Sequence, residues 1–360
     1  MAREIFLLQL GIGGVGRALV AQVQAQRALL AERYGFTLHY LALVDRGGAV
    51  HTGQALDDQT IETALVAKGS RQPLAALAGG RALDDWRTLL PESACIIIDV
   101  TAAAGMETGL AAAVAAGHRV VLANKRPLTG TLTDFTRLTA RSATRYEATV
   151  GAGLPVIATL QTLLDSGDTL SRIEASMSGT LGYLCSALED GQPLSAAVGT
   201  ARSRGWTEPD PRDDLSGTDV ARKALILART GGLNWELSAV PSEPWFPSEL
   251  ADITVDAFME RTPELDRHYQ ELVAQARANN RRLRYVATVT PEGASVGLRE
   301  LPPEHPLAAL RGTDNLFSFT TGRYSEQPLV VRGPGAGVEV TAAGVFGDIV
   351  ATARELTGDG

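Results

Sequence analysis

Residues 4–16, EIFLLQLGIGGVG, decide the fold. The first seven are apolar at all but two positions, the composition of a strand buried on both faces of a parallel sheet. Gly11, Gly13 and Gly16 then bring the strand into ALVAQVQAQRALLAERY, which reads as a helix. A second strand, TLHYLALV at 37–44, ends at Asp45. Strand, glycine turn, helix and strand in that order open a doubly wound sheet. The alternation continues through CIIIDV (95–100), an Ala-rich helix at 107–116 stopped by Gly117, HRVVLA (118–123), a helix near 131–141 and RYEATV (145–150). It predicts a parallel sheet with helical crossovers and a ligand crevice at the strands' C-terminal ends.

The glycine spacing has a physical purpose. Gly11 permits a tight turn, Gly13 lets backbone approach a pyrophosphate, and Gly16 lets helix pack on strand. Ile12, Gly14 and Val15 complete a loop whose unpaired N–H groups and helix dipole favour phosphate. The alternative, a simple cluster of turn glycines, is weakened by the position directly behind an apolar strand. Asp45 ends the second strand, where a carboxylate accepts from a ribose 2′-hydroxyl, whereas Arg46 beside it favours a 2′-phosphate. The two point in opposite directions, so NAD and NADP both stay open. Thr101, Asn124 and Lys125 follow the next strands onto the crevice edge, and Lys125 reads equally well as an exposed loop lysine.

Gly151-Ala-Gly-Leu-Pro155 marks a boundary by composition. Beyond it lie a strand at 172–178, a helix after Gly179, and a loop, WTEPDPRDDLSG at 206–217, whose prolines and glycines argue against regular structure. A helix at about 218–230 and strands at 284–290, 294–300, 314–320 and 328–332 form a more antiparallel second unit. The expected architecture is α/β: a Rossmann-type doubly wound parallel sheet over 1–150, completed by a C-terminal helix within about 336–360. A mixed α/β domain over 151–335 carries substrate binding, catalysis and dimerisation.

Composition narrows the chemistry. A net charge of −8 and a pI near 5.3 argue against nucleic acid as partner, because no concentrated basic face is available. No run approaches the roughly 18 apolar residues of a membrane span, and no secretory signal opens the chain. Cys95 and Cys185 form neither metal spacing nor disulfide framework, in keeping with a reducing cytoplasm. The five histidines are isolated, without metal-ligand spacing.

Five carboxylates, Glu208, Asp210, Asp213, Asp214 and Asp219, fall within twelve residues. At that density they repel, so the loop gains from a cationic ligand such as an α-ammonium group. Asp219 and Lys223 stand at i and i+4 on one helix face. Two readings are open. One is a solvent-facing ion pair worth about 0.3–0.5 kcal/mol. The other is an ammonium group that protonates a carbonyl oxygen as hydride arrives.

The stretches GIGGVG (11–16), ANKRPL (123–128), YEATVGAGLPVI (146–157), SGTLGYL (178–184), GWTEPDPRDDLSGTDVARK (205–223) and GAGVEVTAAGVFGDI (335–349) resemble homoserine dehydrogenase along nearly the whole chain. The resemblance implies reversible NAD(P)-linked conversion of aspartate 4-semialdehyde to homoserine, on the route to threonine and methionine. It makes Lys223 the proton donor, assisted by Lys125, with Glu208, Asp214, Asp219, Gly179 and Thr180 around the substrate and Gly344 near the nicotinamide. It also implies a monovalent cation, typically sodium, held mainly by backbone carbonyls at Glu147, Val150, Ala152 and Leu154. A homodimer in the cytoplasm is expected, in the short form without a regulatory tail or kinase domain. Trp206 stands where the family often has tyrosine, which puts any phenolic contact in doubt. Two rival readings are a thiolate-dependent semialdehyde dehydrogenase, which needs an activated cysteine, and a nucleotide sensor without turnover.

Overall fold

A computed structural model describes residues 2–358 as two compact units, one running to Gly153 and resuming at Ala336, the other Leu154–Gly335. In the first, β1 (Arg3–Leu10), α1 (Gly14–Tyr34) and β2 (Phe36–Asp45) form the opening βαβ element. Then come β3 (Gly48–His51), α2 (Asp58–Gly69), β4 (Gly80–Arg81), β5 (Ile96–Asp99), α3 (Glu107–Ala115), β6 (Arg119–Leu122), α4 (Arg126–Thr129), α5 (Leu132–Thr139) and β7 (Thr144–Arg145). The strands lie in the order β4-β3-β2-β1-β5-β6-β7. β2, β1, β5, β6 and β7 are parallel, with β3 and β4 added antiparallel at one edge.

The antiparallel edge strands β3 and β4 extend the sheet beyond the parallel strands that the sequence marks. Strands of four and two residues are too short to show a period, and a Gly47-Gly48 turn masked the β2–β3 hairpin. The expected strand over 145–150 is also corrected. Only Thr144 and Arg145 join the ladder, and Glu147–Thr149 coil into a 3-10 turn whose Glu147 N–H donates to Asp348 at 2.8 Å. Leu7, Ile96, Ile98 and Val121 of the strands pack with Leu19 and Val23 of α1 and Val345 and Ile349 of the C-terminal helix, Val338–Thr357. The crevice of this sheet opens where β1 turns outward between β2 and β5, the switch point of the strand order.

The second unit contains α6 (Val156–Asp165), β8 (Leu170–Ser176), α7 (Gly179–Glu189), α8 (Leu194–Ser203), α9 (Pro211–Leu215), α10 (Thr218–Thr230), α11 (Val255–Arg261) and α12 (Asp266–Ala278). β9 (Arg282–Thr290), β10 (Gly293–Leu301), β11 (Asp314–Thr321) and β12 (Leu329–Pro334) follow. Its sheet, β10-β9-β8-β11-β12, is antiparallel at every pairing. The 206–217 segment is not wholly irregular. Asp210 accepts from Arg212 N–H, Pro211 takes the first helical position, and one turn of helix forms. On α10, Val220, Ala221, Ala224, Leu225, Leu227 and Ala228 are buried, as the apolar spacing requires. Gly217 at its start has φ 69°, and a Cβ there would sit 2.0 Å from the Tyr285 hydroxyl.

Candidate active site

In the first unit the glycine turn is built by steric necessity. A Cβ on Gly16 would lie 2.3 Å from the Gly11 carbonyl, and Gly11 has φ 101°. Buried Gln9 braces both ends of the turn, donating from Nε2 to the Gly11 and Gly16 carbonyls at 3.0 Å, and accepts from the Tyr40 hydroxyl. A Cβ on Gly13 would meet nothing within 4 Å, and α1 begins with no side-chain cap. An open backbone face and uncapped N–H groups are what a pyrophosphate needs. The turn lines a cavity of about 650 Å³, together with Asp45, Arg46, Thr101 and Met106. That volume is the size of a cofactor site. The residues present fit a dinucleotide.

Asp45 lies in this cavity, but its side chain is only 7% exposed and its oxygens are engaged. Lys68 Nζ approaches Oδ2 at 2.5 Å and the Gly47 N–H donates to Oδ1 at 2.7 Å. Arg71, at the C-terminal end of α2, also lines the cavity and has φ 60°. That left-handed conformation costs a non-glycine residue roughly 1–2 kcal/mol. Neither Lys68 nor Arg71 was legible as a site residue, because one reaches the cavity from α2 and the other from the turn after it, both remote in sequence from the glycine turn.

The crevice edge is held by buried Asp99. Its carboxylate accepts from Thr101 N–H and Oγ1 and from Asn124 Nδ2 at 2.7–2.9 Å. Burial pushes this carboxyl up, while those hydrogen bonds pull it down. Asn124 also donates to the Ala103 carbonyl and is 3% exposed, so its amide faces inward and braces β5 against β6. Lys125 follows as the residue ahead of α4. Gly344 is buried on the C-terminal helix, where a Cβ would lie 2.1 Å from the Ala152 carbonyl; its position is that of a packing glycine. Ala152 itself has φ 56°. The Glu147 carbonyl accepts from Val150 N–H at 3.3 Å. Leu154, the fourth residue expected around a cation, opens the second unit.

In the second unit, Lys223 projects from α10 with its side chain 12% exposed. Its Nζ donates to the Met177 carbonyl at 2.8 Å and pairs with Asp219 at 3.0 Å. The i,i+4 ion pair forms with its Asp219 end exposed, whereas the ammonium end is largely enclosed and aimed at the end of β8. Asp214 accepts from the Glu208 N–H at 2.8 Å. Burial raises the Asp214 carboxyl, and the neighbouring charges of Glu208 and Asp219 add to the rise, against the hydrogen bond from the Glu208 N–H. Thr180, in the first turn of α7, donates to the Trp206 carbonyl at 2.5 Å. The Trp206 ring is held edge-on to Tyr183, centroids 5.0 Å apart, with Arg204 4.8 Å from its centre. Gly179 packs against Thr313, so a side chain there would press on that residue just ahead of β11. Asp214 thus lies within reach of Glu208, Thr180 and Asp219, and Asp219 in turn pairs with the enclosed Lys223 ammonium.

Two family models match the chain: homoserine dehydrogenase over residues 155–350, and homoserine dehydrogenase, NAD binding domain, over residues 11–148. The chain belongs to the homoserine dehydrogenase family. It is 38% identical over 355 residues to a chloroplastic bifunctional aspartokinase/homoserine dehydrogenase of Zea mays, matching 96% of this chain and 38% of that protein. The chain thus spans about two fifths of the length of that relative. A homoserine dehydrogenase of Emericella nidulans is 34% identical, with 99% of this chain and all of that protein covered. A crystal structure of a Candida auris protein of unknown function superposes with a TM-score of 0.88 at 30% identity, covering 98% and 99% of the two chains. Within the homoserine dehydrogenase family the first unit is the NAD-binding domain, and the acidic cluster lies inside the matched homoserine dehydrogenase segment.

Among the described residues, no helix is long and apolar enough to cross a membrane. Asn315 is a further polar residue that sequence reasoning missed. It is 1% exposed on β11, and neither its amide oxygen nor its nitrogen has a hydrogen-bond partner among the described residues.

Proposed function

We propose that this chain catalyses the reversible reduction of aspartate 4-semialdehyde to homoserine with NAD(P)H. The observation that carries the reading is the enclosed Lys223 ammonium, anchored to the Met177 carbonyl and Asp219 beside Glu208 and Asp214. The nicotinamide, when bound, supplies or takes the hydride. Lys223 holds its proton at the substrate's carbonyl oxygen and delivers it as negative charge develops there. Asp219, 3.0 Å away, holds that nitrogen in position. Glu208, Asp214 and Asp219 give the α-ammonium group of the amino-acid substrate its counter-charge, and relieve one another's repulsion by binding it. Thr180 and Gly179 shape the wall against the Trp206 segment, and Lys125 assists from the NAD-binding unit.

A monovalent cation, sodium by the family resemblance, is assigned to backbone carbonyls of Glu147, Val150, Ala152 and Leu154. Hard cations take oxygen ligands, and the left-handed Ala152 turns successive carbonyls to different sides. The protein works as a homodimer in the cytoplasm, its dimer contacts carried by the second unit. Light scattering of the purified protein tests the dimer, and replacing sodium by a large organic cation in the assay tests the ion.

The thiolate reading is disfavoured. Burial pushes both cysteine thiols up to about 12, and Cys95 lies with its sulfur 3.4 Å from His118 inside the first unit. The decisive experiment is homoserine oxidation at alkaline pH, run with NAD+ and with NADP+. Appearance of reduced cofactor together with aspartate 4-semialdehyde supports the assignment; its absence with both cofactors overturns it.

A further inference from the structure

The cavity beside the glycine turn bears on the conflict between Asp45 and Arg46. A carboxylate that reads a ribose 2′-hydroxyl must offer an accessible acceptor, and Asp45 does not. Lys68 takes one oxygen, the Gly47 N–H takes the other, and the side chain is 7% exposed. Three cations, Arg46, Lys68 and Arg71, line the same cavity against two carboxylates, Asp45 and Asp84. With Asp45 compensated by Lys68, Arg46 and Arg71 face a cavity that retains one further acid.

Arg71 carries the second observation. It stands just past the end of α2, where Gln72 N–H bonds back to the Ala67 carbonyl at 2.8 Å, and its φ of 60° is one that glycine adopts without strain. An arginine here gives the turn nothing that glycine would not give better. Neither Arg71 nor Arg46 forms an ion pair among the described residues, so no internal salt bridge accounts for either. A planar, permanently charged fork beside a nucleotide cavity matches a phosphate dianion.

We propose that this chain selects the 2′-phosphorylated dinucleotide, with Arg71 as the selecting residue, Arg46 its partner, and the Lys68–Asp45 pair removing the acid that would otherwise favour the free ribose. The inference rests on the dinucleotide reading of this cavity and deepens it.

Calorimetric titration with 2′,5′-ADP and with 5′-ADP isolates the question, since neither carries a nicotinamide or needs a substrate. The wild-type protein is expected to bind 2′,5′-ADP at least ~10-fold more tightly, a difference of about 1.4 kcal/mol. Arg71→Gly is expected to bring the two affinities within about threefold by weakening 2′,5′-ADP alone, with an equal or higher melting temperature because the left-handed turn is relieved. Lys68→Ala, which frees Asp45, is expected to shift the ratio further toward 5′-ADP. Equal affinities in the wild type, or an unchanged ratio in Arg71→Gly, overturn the proposal. Selective binding of 2′,5′-ADP without homoserine oxidation leaves this inference standing and removes the catalytic one. Failure of both nucleotides to bind removes both.

Discussion

Replacing Lys223 by methionine keeps the length of the side chain and removes its charge and its three donors. Two consequences follow from the geometry. The Met177 carbonyl loses its 2.8 Å donor, and a buried acceptor left unpaired costs about 1–3 kcal/mol. Asp219, 45% exposed, is rehydrated at little cost, and the desolvated ammonium is gone, so the net loss of stability falls at the low end of that range. The chemical step loses much more. A positioned general acid contributes on the order of 10²–10⁴ in rate, or about 3–5 kcal/mol. Initial rates of homoserine oxidation at saturating cofactor are therefore expected to fall at least ~100-fold. Affinity for 2′,5′-ADP should stay at the wild-type value, because Lys223 belongs to the other unit. Lys223→Arg sharpens the test. Its guanidinium keeps the charge but does not release a proton near neutral pH, so it should be as slow as the methionine variant. A methionine variant that keeps more than a third of wild-type turnover would refute the role of Lys223. A fully active arginine variant would refute proton transfer in favour of charge stabilisation alone.

Gly16→Ala places a methyl group 2.3 Å from the Gly11 carbonyl and 2.9 Å from Gln9 Nε2, so thermal unfolding should show a loss of about 1–3 kcal/mol along with weaker nucleotide binding; an unchanged melting temperature would contradict the packing argument. Asp214 has its folded-state pKa raised above the unfolded value, so the native protein holds the extra proton and stability declines as pH rises through that raised value. Asp214→Asn should lose part of this decline in urea titrations run from pH 4 upward, while its KM for homoserine rises; a slope identical to wild type would remove Asp214 as the cause. Both cysteine thiols are buried and pushed up to about 12, so the folded protein should resist thiol-specific reagents until denaturant exposes them. Rapid labelling of the native state would show that these sites open.

The glycine turn was legible because its constraint is local. Gly11, Gly13 and Gly16 act on one another within six residues, and the apolar run ahead of them admits few conformations. Helix α10 was equally legible, its buried residues following the helical period. Two short edge strands and the coiled 147–149 turn were not, since pairing of two to four residues is decided by what lies alongside. The one-turn helix at Pro211–Leu215 escaped for the opposite reason: its proline and acids resemble a loop, yet serve as its start.

The acidic cluster was visible by density, but the state of its lysine was not. Spacing places Asp219 and Lys223 on one face whether that face is wet or enclosed. Only packing of α10 on β9, the sheet neighbour of β8, brings the Met177 carbonyl, 46 residues away, to Lys223 Nζ. Asp45 shows the same division: its place at the end of β2 follows from the apolar run, whereas its pairing with Lys68, 23 residues on, follows from the docking of α2. Local backbone geometry and apolar periodicity are properties of neighbouring residues, so the chain by itself determined the βαβ opening and the position of each candidate side chain. Which polar group each side chain meets, and how much water remains around it, depends on contacts between distant segments. Those the tertiary structure alone decided.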